Sequence, residues 1–175
     1  KYDFFIEKFC ETFAEMAADF EDKYIFCWLD WDGDNILMDG SIIDYGSVRQ
    51  FGLFHHEYRY DDIERFSTNI LEQKRKARDI VQVMEQAVES VKKNEKQTLS
   101  NFSKSNTLHN FERVFDERKK YNLLSKMGFS ERKIRQILKR EPKLVSQFLG
   151  CFQYFEKLKS KDGRIKISDG VTWDV

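Results

Sequence analysis

The sequence is short of cysteine pairs, proline, glycine and net charge. Its three cysteines, Cys10, Cys27 and Cys151, are odd in number and far apart. That excludes a disulfide framework and any paired-cysteine zinc spacing, and it points to the cytoplasm or another reducing compartment. Lysine and arginine balance aspartate and glutamate at 30 each, so no global field argues for nucleic acid or an anionic membrane as partner. No apolar run is long enough to span a bilayer, and no signal-peptide pattern is present. Proline occurs once, at Pro142, and residues 61–96 hold neither proline nor glycine, which leaves that stretch free to be helical.

What is present is a globular composition. The chain has 175 residues, 41% of them hydrophobic, enough for one domain with a substantial core. Its charge is unevenly placed. Residues 1–44 carry twelve acids and three bases, whereas residues 112–140 carry ten bases and four acids. The basic stretch reads either as a solvated helix face or as a surface for phosphate or protein.

Hydrophobic periodicity predicts a helix over 2–21, with Ile6, Phe9, Phe13, Met16, Ala17 and Phe20 on one face. Asp3, Glu7, Glu11, Glu15 and Asp19 line another face, and like charges at this spacing make the helix depend on packing. Tyr24 to Trp28 reads as a short buried strand. Asp39-Gly40, between the apolar runs 36–38 and 41–43, predicts a β-hairpin with a two-residue turn. Residues 46–60 read as a loop. From Asp61 the pattern is one long helix or two packed helices, with Ile63, Phe66, Ile70, Ala77, Ile80, Met84, Ala87 and Val91 on its stripe. Gln73 and Lys74-Arg75-Lys76 interrupt that stripe. A linker over 100–107 leads to helices at 107–127, 131–140 and 143–159, and 163–168 reads as a short edge strand. Gly150 weakens the last helix by about 1 kcal/mol against alanine. The expected architecture is mainly α with a small β-hairpin, an α+β class. It forms a single domain over 1–175, with the acid-bearing part in 1–60 and a helical bundle in 61–175.

The two-residue loop would pair Met38 with Ser41 and, further out, set Asn35 opposite Asp44. An amide oxygen and a carboxylate so placed suit magnesium or manganese, which take hard oxygens together with substrate phosphates. Asp34 and Asp30 stand beside them as candidate general bases. Asp32 and Asp39 read as turn residues. Asp30, Asp32 and Asp34 also begin like a calcium loop, but Asn35 stands where its glycine and Ser41 where its glutamate would be. His55-His56 reads as surface, Cys27 as core, and Arg49 as a solvated loop residue.

The run Asp34-Asn35-Ile36-Leu37-Met38-Asp39-Gly40-Ser41-Ile42-Ile43-Asp44-Tyr45-Gly46 resembles the selenoprotein O family. There an Asp-Asn pair is followed at this same interval by Ile-Asp-Tyr-Gly. The resemblance implies a protein-kinase-like C-terminal lobe and an ATP-dependent transfer of AMP to protein serine, threonine or tyrosine hydroxyls. In that reading Asp34 is the base, and Asn35 and Asp44 hold the metal and, through it, the nucleotide. Two departures stand out: Trp28-Leu29-Asp30 replaces the family's upstream His-Gly, and Ser47 replaces its proline. Asp30 also lies five residues before Asn35, where protein kinases carry their base. The base is therefore Asp30 or Asp34, and phosphoryl transfer stays open beside adenylyl transfer. No glycine-rich phosphate loop or phosphate-pairing lysine precedes the motif. The expectation is that an N-terminal lobe lies ahead of Lys1, that the chain is a piece of a longer protein, and that it turns over little alone. A non-catalytic helical interaction module is the remaining alternative, resting on the stripe at 61–96 and the basic face at 112–140.

Overall fold

A computed structural model describes residues 2–23, 25–27, 36–41, 48–50, 70–156, 164–166 and 172–174. These residues form five α-helices: α1 (Tyr2–Asp22), α2 (Ile70–Lys93), α3 (Asn106–Lys126), α4 (Glu131–Arg140) and α5 (Pro142–Glu156). Two small antiparallel pairs accompany them. Strand β1 (Ile25–Cys27) pairs with β2 (Val48–Gln50), and β3 (Arg164–Lys166) with β4 (Thr172–Asp174).

The expected α+β class, a kinase-like lobe organised around a β-hairpin, is overturned. The body is all-helical, and every fully buried residue of its main described cluster lies on α1, α2 or α3. The three-residue strand pairs add no layer to that cluster. The sequence-level reason is that α1, α2 and α3 are long amphipathic helices that satisfy one another's apolar faces directly.

Helix α1 buries Phe9, Cys10, Phe13, Ala14, Ala17 and Ala18. Its alanines admit close approach, and Phe9 stacks on Phe13 with ring centroids 4.9 Å apart. Against them α2 sets Ala77, Ile80 and Val81, and α3 sets Leu108, Phe111, Val114 and Phe115. The stripe of α2 runs through Gln73, Ala77, Val81 and Val88, all buried, with Met84 packed on the cluster. Ala87 and Val91, expected on the stripe, are exposed instead. The seam positions 73, 77, 81, 84 and 88 step by four, four, three and four residues, close to the helical repeat, and this brings Val88 rather than Ala87 inward. Gln73, expected to interrupt the stripe, is part of it and fully buried.

Helix α3 starts where its cap dictates. The Ser105 hydroxyl accepts from the Leu108 amide at 3.2 Å, and Glu85 of α2 accepts from Ser105 at 2.5 Å and Thr107 at 2.7 Å. A carboxylate at that N-terminus also complements the helix dipole. At the other end Gly128, with φ of +86°, donates to the Ser125 carbonyl at 2.9 Å, and Phe129 donates to Leu124 at 3.2 Å. That left-handed stop turns the chain into α4. A second, smaller cluster of Leu124, Ile134 and Val145, with Tyr121, Ile137 and Leu138 around it, holds α4 and α5 on α3.

Candidate functional site

The sequence-predicted residues Asp30, Asp34, Asn35 and Asp44 lie outside the described residues, as do His55-His56. What the structure describes is how their segment is tied to the body. At its base, β1 pairs with β2 so that Cys27 faces Val48. In its middle, residues 36–41 make a turn seated on α1. Ile36 packs against the main cluster, and Gly40 is buried so closely that a Cβ there would stand 3.1 Å from Thr12 Cγ2.

The turn corrects the expected register. Gly40 donates to the Leu37 carbonyl at 2.9 Å, and Leu37 donates to the Ser41 carbonyl at 2.8 Å. The loop is therefore three residues, Met38-Asp39-Gly40, and Leu37 rather than Met38 faces Ser41. The cause is local. A two-residue type I′ turn needs positive φ at both Asp39 and Gly40, but only Gly40 has it, at +87°, and this gives the three-residue form with a left-handed glycine. Asp39 instead accepts from the Ser41 amide through Oδ1 at 2.9 Å, and that bond lowers its carboxyl below the ordinary value. The reading of Asp39 as a turn residue holds. The two-residue register, which alone set Asn35 opposite Asp44, is not the register of the described turn.

The densest described polar cluster is one that the sequence pattern did not single out. Helix α1 ends in Asp19, Glu21 and Asp22 with no basic residue in its last turn, an unfavourable arrangement for its dipole. Helix α3 supplies the missing cations. Arg118 grips Asp19 with two bonds of 2.7 and 2.8 Å. Asn122 donates to Asp19 and to Asp22, each at 2.8 Å. Lys119, only 6% exposed, pairs with Glu21 at 3.0 Å and with Asp22. Lys126 caps the Asp22 carbonyl at 2.6 Å. Burial pushes the Asp19 carboxyl up, but its bonds to Arg118 and Asn122 outweigh this and hold it below the ordinary carboxylate value. Burial likewise opposes the charge on Lys119, yet Glu21 and Asp22 raise its pKa above the usual lysine value. The alternating acids of α1 were legible; that α3 would answer them at i, i+1 and i+4 was not, because the partners lie 97–103 residues apart.

A cleft of about 420 Å³ opens beside this cluster, walled by Lys74, Phe115, Lys119, Lys120 and Gly150. Lys74 is held by Glu112 at 2.6 Å and lies over the Phe115 ring at 4.3 Å. Lys74 and Lys119 are matched by carboxylates, and Glu21 and Asp116 line the cleft beside Lys120, so it presents little net positive field for a phosphate. No group of three or more histidine, cysteine, aspartate or glutamate side chains suited to a metal occurs among the described residues. Among them, too, no helix is long and apolar enough to cross a membrane.

No protein-family model matches the chain, and no similar curated protein or solved structure was found. The functional reading therefore rests on this chain's own residues.

Proposed function

We propose that the chain is the metal- and base-bearing part of an enzyme that transfers AMP from ATP to protein hydroxyls. Asn35 and Asp44 would hold magnesium or manganese, and Asp34 or Asp30 would take the proton from the attacking hydroxyl. The observation that carries the reading is the motif Asp34-Asn35 with Asp44-Tyr45-Gly46, on a segment clamped at its base by β1 and β2 and seated on α1 at its turn. A segment tied down at both ends and in its middle loses less entropy when it orders around a ligand. The reading rests on these residues and not on a kinase-like architecture. Held by Asn35 and Asp44, the metal would neutralise charge that develops as the hydroxyl oxygen bonds to the α-phosphorus of ATP and pyrophosphate leaves. The chain's own contribution would be to hold the metal and accept one proton.

The test is run on the intact gene product. Incubation with magnesium and ATP labelled at the α- or the γ-phosphorus should leave α-label on protein. Retention of γ-label alone would replace AMP transfer by a phosphotransferase reaction, for which Asp30 is the candidate base. Separate Asp30→Ala and Asp34→Ala variants would then assign the base. Label from neither position, with a melting temperature indifferent to magnesium and ATP, would leave the non-catalytic helical interaction module as the reading. That alternative is favoured by the exposed outer surface of α4 and α5.

A further inference from the structure

The turn that rests on α1 contains a chemically reactive pair. In an Asp-Gly sequence no side chain shields the glycine nitrogen, and that nitrogen can attack the aspartate's own carboxyl carbon. At Asp39-Gly40 the bond from Gly40 N to Asp39 Cγ would form and the Cγ–OH bond would break. Water would leave with the amide proton, and a five-membered succinimide would remain. Water returning at Cγ restores aspartate. Water returning at the main-chain carbonyl carbon leaves isoaspartate, with the main chain now running through Cβ and Cγ. The only co-reactant is water. The chain carries four such pairs, Asp32-Gly33, Asp39-Gly40, Asp162-Gly163 and Asp169-Gly170, and Asp39-Gly40 is the one that lies among the described residues.

Three features of the turn oppose this reaction. The first is its backbone. Gly40 donates to the Leu37 carbonyl at 2.9 Å and Asp39 does not have positive φ, so Leu37–Gly40 is a type I turn with Asp39 at its third position, where ψ is about 0°. Ring closure requires rotation about that bond, and the rotation would break the bond to Leu37. The second is the seat. Gly40 is buried, and the space where a Cβ would stand lies 3.1 Å from Thr12 Cγ2 and 3.4 Å from Phe13 Cδ2, so Gly40 cannot swing without leaving α1. The third is the carboxyl group. Asp39 Oδ1 accepts from the Ser41 amide at 2.9 Å, and this bond favours the ionised form, whereas the attack proceeds on the protonated acid. Asp39 itself is exposed, so water reaches it once the turn opens.

We propose that Asp39-Gly40 is a latent isoaspartate site, kept closed by the seat of its turn on α1 and modified when that turn lifts. The anchors are Ile36 on the main cluster and Gly40 against Thr12 and Phe13. Isoaspartate would not return to the seat. It lengthens the main chain by one carbon and moves the Gly40 nitrogen from the Asp39 carbonyl to Cγ, which removes the three-residue loop geometry. A brief local opening would thereby become a lasting covalent mark. The proposal does not depend on whether residues 34–46 are catalytic.

The experiment ages the full chain and a synthetic peptide of residues 35–43 side by side in heavy-oxygen water at neutral pH. Digestion in ordinary water and backbone fragmentation in a mass spectrometer then read isoaspartate by position, so that residue 39 is separated from residue 32. Each event leaves one heavy oxygen. The folded chain should form isoaspartate at 39 at least about tenfold more slowly than the peptide. Thr12→Phe, at an exposed position of α1, crowds the seat, and Ile36→Asp removes the anchor on the cluster. Each should raise the rate at 39 by at least about threefold and quicken hydrogen exchange of the Gly40 amide, while the melting temperature of Thr12→Phe stays that of the parent. A folded chain that isomerises at 39 as fast as the peptide would overturn the proposal. So would rates in both variants no higher than the parent's. A rise seen only in variants with a lowered melting temperature would also overturn it, because the mark would then report unfolding of the body and not lifting of the turn.

Discussion

The two helical regions of this chain are built on opposite terms. The body of α1, α2 and α3 closes on itself: phenylalanines fill its centre, and Lys74, Arg78, Arg118 and Lys119 are answered by carboxylates across helices. Among the described residues the α4–α5 hairpin meets the body through the small cluster of Leu124, Ile134 and Val145 with Tyr121, Ile137 and Leu138 around it, and it leaves Phe148, Phe152, Arg132, Lys133, Lys139, Arg140 and Lys143 exposed. Similar helix-forming sequence is thus used once for stability and once for exposure. The contrast cannot be explained by length, since α5 is long enough to bury a full stripe; it lies in which side of the helix finds a neighbour.

Substitutions can break that contrast, starting at the centre. Phe13→Ala removes a fully buried ring stacked on Phe9 and should cost about 3–5 kcal/mol, seen as a large fall in denaturant midpoint for the entire body. Lys119→Ala leaves Glu21 and Asp22 without their buried partner and should cost about 3 kcal/mol. Lys119→Met should recover part of that, which would separate packing from charge. Ile134→Ala should cost about 2 kcal/mol, and hydrogen exchange should show the loss confined to α4 and α5 while α1 stays protected. Uniform loss of protection would show that hairpin and body unfold as one.

The acid limb of stability gives a smaller effect. Against the upward push of burial, the folded Asp19 carboxyl is held below the ordinary aspartate value of 3.8 by its bonds to Arg118 and Asn122. Its contribution is complete above that value and is lost as pH falls through the lowered folded value. Asp19→Asn should therefore flatten the pH dependence of the melting temperature in the acid range. The smallest effect is expected at Phe148→Ser, within about 0.5 kcal/mol, since half of that side chain is already in water. A large loss there would show that this side of α5 is covered from within.

Helices were the legible part of this sequence. The expected 131–140 coincides with α4, and 2–21 and 107–127 lie within a residue of α1 and α3, because apolar periodicity marks the helices and Gly128 separates α3 from α4. The inward phenylalanines of α1 were equally plain. Turn geometry was not: Asp39-Gly40 announces a turn, but whether Asp39 takes positive φ depends on the seat that Thr12 and Phe13 offer Gly40, which is a tertiary fact. The layer arrangement was not legible for the same reason, since an acid-rich hairpin motif in sequence says nothing about whether strands or helices make the core. For the site, sequence carries the residue types and their spacing, and the described residues add the clamp at 27 and 48 and the anchored turn. Asp30, Asp34, Asn35 and Asp44 themselves lie beyond what the structure describes.

Cys10 gives the body a reporter of its own. Its thiol is buried in the α1–α3 seam, with Sγ 3.3 Å from the Thr107 carbonyl, and burial pushes its pKa up to about 12. Near neutrality it is both shielded and protonated, so it reacts with thiol reagents only when the seam parts. Exposed Cys151 has no such protection. The rate at which Cys10 becomes labelled, once Cys27 and Cys151 are replaced, would therefore time the opening of α1 from α3, and comparing that time with and without magnesium and ATP would show whether a ligand at 34–46 is felt through the turn that rests on the next turn of the same helix.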